Sequence, residues 1–212
     1  MAVMPVINAL CQEHSIRGVA ATHAATAPLI GYQSKKSDLK LENIPYNHAV
    51  AEFVRTNRVR DVIIVANWGV YFANEKEATQ LRNGLLDTVN TLKDTGARIW
   101  IIRQVPKPHW NVPDTLAATI WHGGDIGKLG LPLSEYRKEF QRQNPIFNGL
   151  TLKFPDVTIL DPTDFFVNSS KHLCRVVDGD TALYADHNHV STAGAMLLRP
   201  LFEPIFEGIK MN

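Results

Sequence analysis

Three short runs of aliphatic and β-branched residues set what this chain can become: DVIIVA at 61–66, RIWII at 98–102 and DVTIL at 156–160. None alternates polar with apolar, so each reads as a strand covered on both faces, the pattern of a parallel sheet. Between the first two lies a helix pattern. Asn74 stands at the cap, Ala78, Leu81, Leu85, Val89 and Leu92 share one face, and Gly96 stands where a left-handed C-terminal cap belongs. Parallel neighbours need a crossover connection, usually a helix. The alternation therefore implies βαβ units and an α/β fold of three layers, with a mostly parallel sheet. A flavodoxin-like strand order is expected.

Weaker signals fill in the remainder. The chain opens on an amphipathic helix from residue 1 to about 14, with Val3, Ile7, Leu10 and His14 at helical spacing and Pro5 tolerable in the first turn. GVAAT at 18–22 reads as a short strand, 23–45 as a long loop with little regular structure, and 47–57 as a helix. Residues 106–130 are irregular around a short helix at 114–121. Ser134 is expected to cap a helix running to about 144. The last helix spans 191–206, where Pro200 and Pro204 should kink or break it.

Charge excludes some partners. With 22 basic against 21 acidic side chains, net +1, the 212 residues hold no surplus to neutralise a phosphate backbone, so nucleic acid is not an expected partner. Cys11 and Cys174 form no CxxC knuckle and make no disulfide-rich scaffold. No export signal opens the sequence: Met1 to Cys11 lacks the positive charge and apolar run such a signal needs.

In α/β sheets, reacting groups collect past the carboxyl ends of the strands or in the loops beside them. The richest such segment is DHNHVS at 186–191, immediately ahead of the last helix. Asp186 lies three residues before His189, close enough for its carboxylate to accept the imidazole Nδ1–H, fix the tautomer and stabilise the imidazolium formed when Nε2 takes a proton. The same spacing also suits a carboxylate that merely caps a loop beside a half-buried histidine. A metal site is a further reading, from His187 and His189 beside Asp186 with Asp161 and Asp164 as additional ligands, although no metallohydrolase signature surrounds them. Asn67 ends the first buried run, where its amide could donate to an oxyanion or simply tie down a turn.

Together these segments resemble the SGNH (GDSL-like) ester hydrolases, and in particular the SGNH domain of bacterial acyltransferase-3 membrane proteins. The resemblance rests on VIIVANWGVY (62–71), IWIIRQVPKP (99–108), VTILDPTDFF (157–166) and LCRVVDGDTALYADHNHVSTAGA (173–195). The last is similar to the family's ending, a Cys followed by Tyr-x-Asp-x-x-His-Leu-Ser-x-x-Gly-Ala. The resemblance implies an SGNH-hydrolase fold over 1–212, with His189 as general base, Asp186 as its orienting acid and Asn67 as oxyanion donor. Trp68 and Tyr71 would line the acyl or sugar pocket, or else pack in the core. It implies acyl transfer to, or ester hydrolysis of, O-acylated cell-envelope carbohydrate, without metal or cofactor. A membrane acyltransferase domain is the implied partner, and the implied location is extracytoplasmic.

One part of the family pattern is missing. The family's nucleophilic serine sits in Gly-Asp-Ser between the first strand and first helix, and no Gly-Asp-Ser occurs among these residues. Since the sequence opens on the helix expected after that motif, the domain is expected to be N-terminally incomplete, to lack its first strand and to be inactive in this form. The alternatives are a glycan-binding remnant without turnover and a metal-dependent phosphoesterase.

Overall fold

The computed structural model describes residues 3–35, 37–71 and 74–207. In chain order its elements are α1 (Met4–Glu13), α2 (Asn43–Thr56), β1 (Asp61–Ile64), α3 (Glu75–Lys93), β2 (Arg98–Ile102), α4 (Val112–Trp121), β3 (Gly130–Pro132), α5 (Leu133–Lys153), β4 (Thr158–Leu160), α6 (Thr163–Phe166), β5 (Val167–Asn168), β6 (Leu173–Arg175), β7 (Val177–Asp178), β8 (Thr181–Ala182), α7 (Thr192–Leu197) and α8 (Arg199–Phe206). The chain forms two compact units. One comprises 19–103 and 142–160, the other 1–18, 104–141 and 161–212.

The first unit holds the parallel sheet, in the order β1-β2-β4. Its register pairs Val62 with Ile99, Ile64 with Ile101, and Ile101 with Ile159. Paired residues of a parallel ladder point to the same side, so these five side chains share one face. That face packs into a core with Leu81, Leu85, Val89 and Leu92 of α3, Ala51 and Val54 of α2, and Ile146, Phe147 and Leu150 of α5. The expected caps of α3 are present: Asn74 Oδ1 accepts the Glu77 N–H at 3.0 Å, and Gly96 takes φ +81°.

The second unit is antiparallel and helical. Strands β3-β6-β5 form one small sheet and β7-β8 a hairpin, neither of which the hydrophobic pattern announces. Helix α1 packs on α7 and α8. It buries Val6 and Leu10, with Val3 ahead of it, while Arg199 of α8 donates to Glu13 at 2.6 Å and to Glu203 at 2.9 Å. The helix begins at Met4, and Met1 and Ala2 lie outside the described residues.

Several expectations are corrected. GVAAT is no strand: 18–22 is exposed and irregular, for its small side chains bury too little surface to hold an extended segment. The loop at 23–45 is no surface loop throughout. Ala27, Leu29, Ile30 and Tyr32 enter the core, and side chains satisfy part of their backbone. Asn47 donates to the carbonyls of Ala27 and Leu29 at 2.9 and 3.0 Å, while the Thr88 hydroxyl accepts the Ile30 N–H at 2.7 Å. Helix α2 starts at Asn43, four residues before the expected point. Helix α5 begins at Leu133, which places Ser134 inside its first turn, and it continues through Pro145 to Lys153. The burial of Ile146, Phe147 and Leu150 outweighs the lost hydrogen bond. The final helix does break, at Leu198, and Pro200 falls in the first turn of α8.

Candidate active site

The loop at 183–191 closes on itself before it presents any side chain. Tyr184 and Val190 form an antiparallel bridge, the Ala185 N–H donates to the His189 carbonyl at 2.8 Å, and the Ser191 N–H donates to the Leu183 carbonyl at 2.9 Å. Ser191 then caps α7. Its hydroxyl accepts the Gly194 N–H at 3.1 Å and donates to the Ala182 carbonyl at 2.7 Å. Gly194 is required at its position, since a Cβ there would lie 2.1 Å from the Leu183 carbonyl oxygen.

Within this frame Asp186 uses both carboxylate oxygens. Oδ1 accepts the backbone N–H groups of Asn188 and His189, each at 2.7 Å, and Oδ2 lies 2.6 Å from His189 Nδ1. The two side chains are 34% and 52% exposed. Partial burial works against the carboxylate's charge, but the bonds from the His189 ring and the two backbone N–H groups outweigh it. They hold the Asp186 carboxyl well below the usual range. Asp186 is therefore ionised at neutral pH and keeps Nδ1 as the protonated nitrogen, which leaves Nε2 able to take a proton from an alcohol or water.

The loop is also tied to the segment that follows β2 in sequence. The Tyr184 hydroxyl donates to the Pro106 carbonyl at 2.6 Å, and the Val112 N–H makes a long 3.5 Å contact to the Asp186 carbonyl. Tyr184 is buried against Phe166, ring centroids 5.8 Å apart, and burial holds its hydroxyl pKa well above the ordinary value, so it remains a donor. Two buried polar atoms here, Trp110 Nε1 and Asn188 Oδ1, have no partner among the described residues. The sequence alone assigns no role to Tyr184 or Trp110. A tyrosine two residues before the aspartate was the available signal.

The other candidate residues lie in the unit that holds the parallel sheet. Asn67 follows β1, and its backbone carbonyl accepts the Val70 N–H at 3.3 Å. Its side-chain Oδ1 is buried and has no partner among the described residues. Trp68 is 0% exposed, donates its indole N–H to the Ile102 carbonyl at 2.8 Å and meets Phe147 edge-on at 5.8 Å. Of the two roles open to it, core packing is the one its surroundings describe. Tyr71 is half-buried edge-on to Tyr32 at 5.4 Å, and burial, with Tyr32 adding to it, pushes its hydroxyl up to about 12.

The ligands suggested for a metal do not gather. Asp161 caps the turn into α6 through the Thr163 N–H at 2.9 Å, and the His189 ring is engaged by Asp186. Among the described residues no three His, Cys, Asp or Glu side chains form a site that could hold a metal ion. Cys11 and Cys174 are free, and burial pushes the Cys174 thiol up to about 12.

A carboxylate–imidazole pair is one arrangement by which acyl-transfer and ester-hydrolysis proteins activate a hydroxyl. The chain belongs to the SGNH family: the family model for the SGNH domain fused to AT3 domains matches residues 1–204, across both compact units. Among solved structures it is similar to the periplasmic domain of a lipopolysaccharide acetyltransferase from Salmonella ser. Paratyphi A. The TM-score is 0.70 at 15% identity, over 96% of this chain and 78% of that one, a likeness of fold. No curated protein matches the sequence.

Proposed function

We propose that residues 1–212 belong to one SGNH-type domain whose chemistry is the transfer or hydrolysis of O-acyl groups of cell-envelope carbohydrate. His189 is the general base and Asp186 its orienting acid. In this mechanism Nε2 of His189 removes the proton of an attacking hydroxyl while Asp186 stabilises the imidazolium. Asn67 donates to the oxyanion, a role taken from its match to the family's strand-end asparagine. Tyr71 borders the acyl or sugar pocket. The partner is a membrane acyltransferase domain, in keeping with the family's fusion to AT3 domains, and the work is extracytoplasmic. The observation that carries the reading is the 2.6 Å contact between Asp186 Oδ2 and His189 Nδ1 on a loop otherwise closed by its own backbone.

The nucleophile is not among these residues in the family's form, because no Gly-Asp-Ser occurs. Ser191, the serine next in sequence to the pair, spends its hydroxyl on the cap of α7. The 212 residues alone are therefore expected to show little or no esterase activity. The test compares them with the same chain extended by whatever in-frame codons precede Met1, using 4-nitrophenyl acetate. The extended protein should hydrolyse the ester, and His189→Ala should lower that rate by about 10²-fold or more. Equal rates with and without the extension, or a rate indifferent to His189→Ala, would refute the proposal. The missing motif equally suits a domain that holds acylated glycan without turnover, for which the extended protein would remain inactive yet bind.

A further inference from the structure

We propose that Tyr184 is the positioning residue of this site: its hydroxyl, bonded to the Pro106 carbonyl, fixes the loop that carries Asp186 and His189. The inference rests on the acid–base reading of that pair.

The pair needs an external anchor. Its side chains are 34% and 52% exposed, and an exposed hydrogen bond between two loop side chains is weak because both must be restrained against solvent competition. The bonds around it tie the loop to itself: Tyr184 to Val190, Ala185 to His189, Asp186 to the N–H groups of Asn188 and His189. They set the shape of the loop and leave its placement to other contacts. The Leu183 N–H holds the start of the loop to the Val176 carbonyl at 2.8 Å. The Tyr184 hydroxyl supplies a side-chain anchor nearer the pair, reaching across 78 residues to the Pro106 carbonyl at 2.6 Å, whereas the Val112 contact to the Asp186 carbonyl is long at 3.5 Å.

Both ends of that bond are suited to the task. Tyr184 is buried against Phe166, two residues before Asp186, so little freedom separates the anchored ring from the carboxylate. Pro106 is itself buried, and its ring fixes φ, which steadies the carbonyl that accepts. Phenylalanine at 184 would fill the same space yet leave a buried carbonyl without its donor. Packing alone therefore does not explain the tyrosine.

The readout is the downfield proton resonance of His189 Nδ1–H in the 212-residue chain, assigned by its loss in His189→Gln. Wild-type protein should show it, protected from exchange with water. Tyr184→Phe should speed that exchange about tenfold, the effect expected when one buried hydrogen bond is removed. Phe166→Leu, which loosens packing around the ring and spares the hydroxyl, should leave it slow. Pro106→Gly, which frees the acceptor from the other side, should speed it, and serves if Tyr184→Phe does not fold. Unchanged exchange in Tyr184→Phe or in Pro106→Gly, or equal acceleration in Phe166→Leu, would overturn the inference while leaving the acid–base reading intact. Absence of the resonance in wild-type protein would overturn both.

Discussion

Asp186 shows how one side chain can bind both its own loop's backbone and a neighbouring ring. One carboxylate oxygen holds the backbone turn and the other meets the imidazole, so the group beside the ring also shapes the loop beneath it. Its folded-state pKa is depressed, so it contributes stability above its unfolded value, near 4, and loses that contribution as pH falls toward the folded value. The difference in melting temperature between wild type and Asp186→Asn should therefore begin to shrink as pH falls below about 4 and go on shrinking at lower pH. A gap that persists undiminished at pH 3 would mean the ionised carboxylate is not the source. The Asp-x-x-His spacing made the contact foreseeable. It could not show that Oδ1 would be taken by two backbone N–H groups, because that depends on the turn at 186–189.

Among the elements, α5 shows where local rules yield. Pro145 removes a backbone donor from the middle of the helix, yet Ile146, Phe147 and Leu150 just beyond it are buried, and the helix runs on to Lys153. Pro145 is exposed, so nothing in the core depends on its ring. Pro145→Ala should raise stability by about 1–3 kcal/mol, measured as a shift in the urea midpoint. A loss of stability would show that the proline is needed where it stands. The reverse case is 18–22, whose apolar letters resemble a strand and which remains irregular and exposed. In both places burial against other elements decides, and a window of five or ten residues does not contain that information.

At the scale of the whole chain, two compact units share one family match. The parallel sheet with its helices is one, and α1, the small antiparallel sheets and the loop with Asp186 and His189 belong to the other. Since Asp161 caps a turn and no three ligand side chains converge among the described residues, dialysis against EDTA should leave the melting temperature within about 1 °C. A larger fall, reversed by a divalent ion, would restore the metal reading. No described helix is long and apolar enough to cross a membrane.

The sequence by itself determined the α/β class, the three parallel strands, the caps of α3 and the Asp186–His189 pair. Each is a property of neighbours along the chain: a continuous β-branched run, a helical period, a spacing of three. Only the tertiary structure decided that Trp68 is core, that the 27–32 segment is buried on Asn47 and Thr88, and that Tyr184 reaches Pro106. The last of these joins residues 78 positions apart. Such pairs meet because burying apolar surface brings their elements together, and a buried N–H, O–H or carbonyl must then find its partner wherever the packed chain supplies one.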